Sequence, residues 1–235
     1  MSNLLLWSEA AITPRNIYID AMKIEDWGRM GYREAWDRQK VAVANLLANS
    51  DGDERIVMVE HDPVYTLGFH GNAANMLASE SMLLNSGVEC IRIERGGDIT
   101  YHGPGQLVVY PIISLHRHHL GVRRYVELLE KSVIETLGAF GIECSCNDSA
   151  IGVWIDWDTP RARKICAIGV KISHGVTMHG LALNVTTDLS AFRLINPCGF
   201  IDKGVTSVLA ETGNAPDMSE VKATLADALK RNLDI

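Results

Sequence analysis

The sequence lacks any apolar run that approaches the ~20 residues of a transmembrane helix, although 47% of its 235 residues are hydrophobic. Its first seven residues also lack the basic stretch and the small-residue cleavage site of a secretory signal peptide. Internal repeats and low-complexity linkers are absent as well. We therefore expect a cytoplasmic, globular protein in which residues 1–235 form a single domain.

Basic residues are in the minority, because 22 Lys and Arg stand against 29 Asp and Glu, for a net charge of −7. Such a balance disfavours binding to nucleic acid, which requires clustered Lys and Arg, and we expect neither nucleic acid nor membrane as a partner. The five cysteines are an odd number, and no secretion signal accompanies them. Reduced thiols are therefore expected rather than a disulfide framework.

Hydrophobic periodicity predicts helices over residues 24–48, 75–85, 122–140 and 219–233. Strand-like patterns cover residues 55–60, 89–94, 107–115, 142–146, 151–157, 165–172 and 178–184. Strands follow one another with few helices between them, which disfavours a doubly wound parallel sheet. We expect an α+β fold with a mixed, largely antiparallel sheet flanked by helices.

Residues 95–106 are the first of three polar segments that interrupt the apolar pattern. They read Arg-Gly-Gly-Asp-Ile-Thr-Tyr-His-Gly-Pro-Gly-Gln, and five of these twelve residues are Gly or Pro. The backbone must therefore turn tightly or approach another group closely. A plain hairpin loop between two strands is the competing interpretation. A phosphate-binding loop is not, because the Lys-Ser/Thr ending is missing.

The second segment covers residues 161–171, where a basic run enters a strand that is predicted to be buried, and Lys164 lies at that boundary. Most lysines at the entrance of a strand are solvated. A partly desolvated ammonium at this place would instead exchange protons near neutral pH.

Cys198 occupies the third segment, between a proline and a glycine, where a fixed thiol is open to a reactant. A lone loop cysteine is more often without function, but the other four are weaker candidates. Cys90 and Cys166 fall within strand patterns. Cys144 and Cys146 alternate on one short strand, and no second ligand pair at metal-site spacing accompanies them, so no metal is expected.

Five ordered motifs closely resemble the octanoyl-[acyl-carrier-protein]:protein octanoyltransferases, also called lipoyl(octanoyl) transferases. The motifs are His-Asp-Pro-Val-Tyr-Thr-Leu-Gly at 61–68, the whole of 95–106, Lys-Ile-Cys-Ala-Ile-Gly at 164–169, His-Gly-Leu-Ala-Leu-Asn-Val at 179–185 and Ile-Asn-Pro-Cys-Gly at 195–199. Their order and spacing suit that family from about residue 15 to about residue 210, and the C-terminal helix lies outside the match.

The resemblance implies the fold of the biotin and lipoate protein ligases, with an acyl pocket, and a single catalytic domain. It implies octanoyl-acyl carrier protein as the donor. The implied acceptor is a lysine of a lipoyl domain in a 2-oxoacid dehydrogenase subunit or of glycine-cleavage H protein. No ATP, metal or other cofactor is expected, because the donor thioester is already activated. A monomer is the default expectation.

The resemblance also implies roles for individual residues. Cys198 would carry the acyl group as a thioester, and Lys164 would activate that thiol and act as acid and base. The substrate site would be lined by Arg95, Gly96, Gly97, Asp98, Ile99, Thr100, Tyr101 and His102, by Ala167, Ile168 and Gly169, and by Gly180, Leu181 and Ala182. Many family members carry Gln in place of Asp98, so the resemblance gives that side chain no individual role.

Docking of the donor needs a local basic patch, because acyl carrier proteins are acidic and this chain is acidic overall. Two clusters qualify, and the sequence does not choose between them. They are Arg161, Arg163 and Lys164, and Arg117, Arg123 and Arg124.

Three other functions stay open on the sequence. An ATP-dependent lipoate or biotin ligase would share the fold but would need no thiol at Cys198. A passive binding module would need neither Cys198 nor Lys164. A cysteine hydrolase would use a histidine base, for which His102 or His179 would serve.

Overall fold

The structure is a computed structural model, and it describes residues 22–49, 52–196, 203–214 and 216–235. In chain order these residues form β1 (Lys23–Met30), α1 (Tyr32–Ala48), β2 (Arg55–His61), β3 (Val64–Leu67), a 3-10 turn (Ala73–Asn75), α2 (Glu80–Ser86), β4 (Glu89–Arg92), β5 (Ile99–His102), β6 (Gln106–Ile112), α3 (Val122–Ala139), β7 (Ser145–Cys146), β8 (Val153–Ile155), β9 (Arg163–Ser173), β10 (Val176–Asn184), a second 3-10 segment (Leu189–Leu194), β11 (Gly204–Val205), α4 (Val208–Thr212) and α5 (Met218–Leu233). None of the helices in these ranges combines the length and the apolarity that a membrane crossing requires.

The larger of two sheets has the strand order β1-β2-β6-β10-β9-β8-β7, with β11 paired to β9. Its pairs are antiparallel except for β1 with β2 and β11 with β9. The smaller sheet has the order β4-β3-β5. The expected α+β class and the mixed, largely antiparallel sheet are confirmed.

Both faces of the large sheet are covered, which explains why its central strands read as continuous apolar runs. In β2, Ile56 and Met58 belong to the core that α3 and α5 complete. Val57 and Val59, which point to the opposite face, belong to the core that α1 completes. The helix predictions for α3 and α5 are confirmed to within about three residues.

The predicted helix over residues 24–48 is wrong at its beginning. The chain forms β1 first, and α1 begins only at Tyr32, after Gly31 as its N-cap. Backbone pairing with β2 outweighs the helical pattern of the apolar residues, and Gly28 adopts a left-handed conformation with φ of 62° where the pairing register shifts.

The predicted helix over residues 75–85 is also shorter than expected. It begins at Glu80, because the Ser79 side chain accepts a hydrogen bond from the Met82 amide. It ends at Ser86, and Gly87 forms the left-handed C-cap with φ of 66°. The four-residue strands β3 and β5 were not predicted as strands.

Gln106 ties the two sheets together from a fully buried position at the start of β6. Its amide oxygen contacts His102 Nδ1 at 2.7 Å, on β5 of the small sheet. Its amide nitrogen donates to Tyr101 O at 3.1 Å and to Asn184 Oδ1 at 2.8 Å, at the end of β10. One side chain therefore fixes the small sheet against the centre of the large one.

Replacing Gln106 with Leu should destabilise the protein by about 2–4 kcal/mol, because the buried partners of the amide lose their hydrogen bonds without access to water. Urea unfolding followed by circular dichroism measures the change. A loss below about 0.5 kcal/mol, the range of ordinary surface substitutions, would contradict this account of the junction between the sheets.

Candidate active site

A cavity of about 510 Å³ opens between β9, β10, β5 and the start of α3, within the usual size range of ligand pockets. Of the sixteen residues predicted for the site, fourteen line it. They are Lys164, Arg95, Gly96, Gly97, Asp98, Ile99, Thr100, His102, Ala167, Ile168, Gly169, Gly180, Leu181 and Ala182. The structure therefore brings three stretches that are far apart in the chain to one cavity.

Antiparallel pairing explains why two of these stretches meet. In the register of β9 with β10, Ala182 lies opposite Ala167 and Gly180 lies opposite Gly169. A Cβ atom on Gly169 would lie 2.8 Å from Gly96 O, and one on Gly180 would lie 2.1 Å from Val109 O. Both glycines are therefore required for close approach of the backbone.

Arg95 fixes the glycine loop from a nearly buried position. Its guanidinium donates to Thr66 O at 2.7 Å, to Thr66 Oγ1 at 2.9 Å and to Gly96 O at 2.9 Å. The amide of Gly96 donates to Val170 O at 2.9 Å, which binds the loop to β9. The charged arginine therefore holds the wall of the cavity in place.

Asp98 is hydrogen-bonded to the segment around Asn72 and Asn75. Its carboxylate accepts hydrogen bonds from the Asn72 amide, at 3.0 Å, and from the Asn75 side chain. The carbonyl of Asn75 in turn accepts from the Asn196 amide at 2.8 Å. Asp98 thus links the cavity wall to the chain that leads to Cys198.

Tyr101 is buried but does not line the cavity. Its ring packs against Tyr65 and Phe192, with ring centroids 5.3 and 5.6 Å apart. Successive residues of a strand point to opposite faces, and Tyr101 lies between Thr100 and His102, which do line the cavity. The ring of Tyr101 supports the small sheet from behind.

Lys164 is not a solvated strand end, because only 8% of its surface is exposed. Strand pairing places it opposite Trp154, and its ammonium lies 4.6 Å from the centre of that ring. The ammonium also donates to Ile151 O at 3.0 Å. A cation is therefore held at the cavity in a largely dry environment.

Cys198 lies in residues 197–202, outside the described residues. The described chain on either side of that segment is anchored at the site. Before the segment, the Asn196 amide donates a hydrogen bond to Asn75 O. After it, β11 pairs with β9 so that Val205 lies opposite Lys164. The Thr206 amide donates to Lys164 O at 2.9 Å.

Desolvation raises the thiol pKa of each of the four other cysteines, which disfavours their thiolate forms. Burial raises the thiol pKa of Cys90 and Cys146, and it raises that of Cys144 to about 11. Cys166 is fully buried, and burial raises its pKa further. Within the described ranges no group of three or more His, Cys, Asp or Glu side chains is placed to hold a metal ion.

Three buried histidines form a polar cluster with two tyrosines at the cavity. His61 Nε2 lies 2.7 Å from Tyr110 Oη, and the Tyr32 hydroxyl lies 3.5 Å from His179 Nδ1. Burial lowers the pKa of His61 to about 4 and that of His179 to about 3, and it lowers the pKa of His102 well below its usual value. These neutral imidazoles are weak bases, which disfavours the histidine-assisted hydrolase.

Several residues that line the cavity were not identified from the sequence. They are Tyr32, His70, Val108, Tyr110, Val122, Val126, Ser149, Ala150, Ile151 and Val170. His179 also lines the cavity, and the sequence had named it only as a possible base of the hydrolase. Val122 and Val126 carried a usable signal, because their spacing of four places them on one face of the helix. The loop from Ser149 to Ile151 carried none, since nothing in its sequence indicates that it lies against Lys164.

The chain is similar in sequence to known proteins over most of its length. The sequence profile of the lipoyl protein ligase A/B catalytic domain matches residues 31–230. A protein of Bacteroides thetaiotaomicron named octanoyltransferase is 52% identical over 213 residues, which cover 89% of this chain and 94% of that protein.

Solved structures with low sequence identity share the fold. A bipartite lipoate protein ligase from Thermoplasma acidophilum superposes with a TM-score of 0.67 at 16% identity, covering 91% of this chain and 84% of that one. A biotin protein ligase from Aquifex aeolicus gives a TM-score of 0.51 at 12% identity, covering 90% and 68%. The expected fold of the biotin and lipoate ligases is confirmed.

The buried histidines predict a loss of stability in mild acid. Unfolded histidines bind protons near pH 6.5, whereas folded His61 does so only near pH 4, so the unfolded state binds more protons between these values. Stability present above pH 6.5 is therefore lost as the pH falls, by up to about 1.4 kcal/mol per pH unit for each such histidine.

Urea unfolding at a series of pH values between about 7 and about 5 measures this slope. His61→Gln should flatten it, whereas replacing the exposed His119 with Gln should leave it as in the parent. Equal slopes in the parent and in His61→Gln would contradict the prediction.

Proposed function

Because the chain belongs to the family of lipoyl protein ligase A/B catalytic domains, we propose that it moves an octanoyl group from octanoyl-acyl carrier protein to a protein lysine through a thioester on Cys198. Together with that family, the octanoyltransferase relatives make the chain an acyltransferase that acts in protein lipoylation. The acceptor is a lysine of a lipoyl domain or of glycine-cleavage H protein. No ATP, metal or other cofactor takes part.

One observation carries the proposal. A nearly buried lysine ammonium lies at an apolar cavity. The described chain after the Cys198 segment pairs with Lys164, and the chain before it is hydrogen-bonded through Asn75 to Asp98 of the cavity wall. Burying an ammonium is expensive, so a purely structural strand would have an apolar residue at position 164. A cation held beside a thiol is, in contrast, the usual means of stabilising a thiolate.

The reaction divides into two steps, which form and then consume a thioester on Cys198. In the first, the Cys198 thiolate attacks the donor carbonyl, the bond to the phosphopantetheine sulfur breaks, and the Lys164 ammonium provides the proton that the departing thiol needs. In the second, the acceptor amine attacks the Cys198 thioester, and neutral Lys164 takes the proton that the new amide loses. The Cys198 thiolate leaves and regains its cation. Splitting the transfer in this way replaces one difficult step with two easier ones.

Apolar side chains from several elements provide a surface for the acyl chain. Val108, Ile168 and Leu181 come from the large sheet, and Val122 and Val126 come from α3. Burying about six methylenes there contributes on the order of 5 kcal/mol. That energy separates octanoyl from acetyl but discriminates weakly against chains that differ by one or two carbons.

The structure favours the second of the two basic clusters as the docking site for the carrier protein. In the first cluster Lys164 is buried, and Arg163 is engaged by Glu211 and Asp156. In the second, Arg123 and Arg124 also pair with Glu127, but their side chains remain 78% and 60% exposed, against 27% for Arg163. They follow Val122, which lines the cavity.

Incubation with octanoyl-acyl carrier protein, without acceptor, should add the mass of one octanoyl group to the parent enzyme. Cys198→Ser should gain none on the same timescale, because a serine hydroxyl is a far weaker nucleophile than a thiolate. The matched control is Cys146→Ser, at an exposed cysteine of β7, which should acylate like the parent. Acylation of the Cys198→Ser variant at the parent rate would exclude the thioester mechanism.

Free octanoate with ATP, offered to the same preparation, tests the ligase alternative. The proposed transferase leaves the acceptor domain unmodified under these conditions. Modification at a rate comparable to that with octanoyl-acyl carrier protein would favour the ligase.

Reversing charge at the start of α3 should weaken docking of the acidic donor. Arg123→Glu with Arg124→Glu should lower the rate of transfer from octanoyl-acyl carrier protein by about tenfold or more at low salt, and the loss should shrink as salt screens the charges. Transfer from octanoyl-CoA is the control, because it lacks the protein partner. Equal losses with both donors would contradict docking at this place.

A further inference from the structure

Glu130 is a nearly buried carboxylate on α3 that the proposed chemistry does not use. Only 6% of its surface is exposed. Its Oε1 atom accepts a hydrogen bond from the Gly152 amide at 2.9 Å. The carbonyl that accepts from the Lys164 ammonium belongs to Ile151, and therefore to the same peptide group as that amide.

We propose that Glu130 is a positioning residue, which holds the peptide between Ile151 and Gly152 so that its carbonyl anchors the Lys164 ammonium at the acyl cavity. This inference rests on the function proposed above, because it depends on Lys164 acting in the transfer.

The single peptide group between Ile151 and Gly152 can connect the Glu130 carboxylate to the Lys164 ammonium. In a trans peptide the N–H and the C=O point in opposite directions, and no cis bond occurs in the described residues. The carboxylate therefore binds one end of the peptide and the ammonium binds the other. Each hydrogen bond polarises the peptide in the sense that strengthens the other.

Close packing on the opposite side keeps this peptide from shifting. Gly152 has φ of 121°, and a Cβ atom there would lie 2.6 Å from Cys166 O and 3.4 Å from Lys164 Cε. The peptide thus lies between α3 and β9, where only glycine fits. On the side facing α3, the Glu130 carboxylate holds its amide.

The surroundings of Glu130 oppose its burial. Desolvation raises its pKa, and the nearby carboxylates of Asp148 and Glu127 raise it further, whereas the Gly152 hydrogen bond and the Lys164 charge lower it. A buried carboxyl group is unfavourable unless it is hydrogen-bonded and compensated. The bonded peptide and the ammonium beyond it provide that compensation.

Glu130→Met tests the proposal, since methionine fills similar space without an oxygen that could accept from Gly152. The rate constant of octanoyl transfer should fall by about 10- to 100-fold through misplacement of Lys164, with the KM for octanoyl-acyl carrier protein changed little. Glu130→Gln, which retains an acceptor oxygen, should restore most of the rate. Glu135→Gln, on the exposed face of the same helix, should behave like the parent.

A second readout separates positioning from a merely structural role. The rate at which iodoacetamide modifies Cys198 at neutral pH, followed in the Cys198 peptide by mass spectrometry, should fall in Glu130→Met and in Lys164→Ala. The double variant should react no more slowly than Lys164→Ala alone. A further loss in the double variant, or parent rates in Glu130→Met, would overturn the inference.

The same experiment distinguishes failure of the inference from failure of the proposed function. If Lys164→Ala alone is modified and acylated like the parent, the role of Lys164 fails, and the inference with it. If Lys164→Ala is slow and Glu130→Met is not, only the inference fails. Should Glu130→Met not fold, Glu130→Asp decides, because its shorter carboxylate should give the same loss, and parent rates would overturn the inference.

Discussion

The constraint on which the site depends is the burial of one ammonium group. Lys164 extends from a paired strand into a region that water barely reaches, where an uncompensated charge would be unstable. The ring of Trp154 and the carbonyl of Ile151 provide the compensation, and each belongs to the neighbouring strand β8 or the loop before it. A small shift of that strand or loop would therefore change the position of the Lys164 ammonium at the cavity.

Most residues of the polar motifs form or support the wall of the cavity, and few of them have a proposed role in the reaction. A Cβ atom on Gly68 would lie 2.3 Å from Gly97 O, so the motif at residues 61–68 packs against the glycine loop. Arg95 bonds to Thr66 of that same motif. The glycine-rich composition predicted a tight turn or a close approach, and here it allows close approach between two segments of the chain itself.

The parts of the fold that were predictable are those in which a local pattern decides the structure. The periodicity of α3 and α5 and the apolar runs of β2, β6, β9 and β10 were sufficient. The strands β1, β3 and β5 were not predictable, because they exist through pairing with distant segments. The same reason applies to Tyr32 and Tyr110 in the cavity, which enter it from two different layers of the fold.

Within the site, the family resemblance identified the residues, and the structure shows which groups they contact. Fourteen of the sixteen residues line one cavity. Tyr101 supports it from behind. Asp98, which had no predicted individual role, is linked through Asn75 to the chain before Cys198. The burial of Lys164 was not predictable from a run of basic residues, because it results from pairing between β8 and β9.

The most direct test of the central claim is a crystal structure of the octanoylated enzyme, trapped without acceptor. The account predicts the octanoyl group on Cys198, its chain in the cavity lined by Leu181 and Val126, and Lys164 Nζ within about 4 Å of the thioester, the range of a direct charge interaction. An octanoyl group bound outside this cavity, or a thioester separated from Lys164 by bulk solvent, would contradict it.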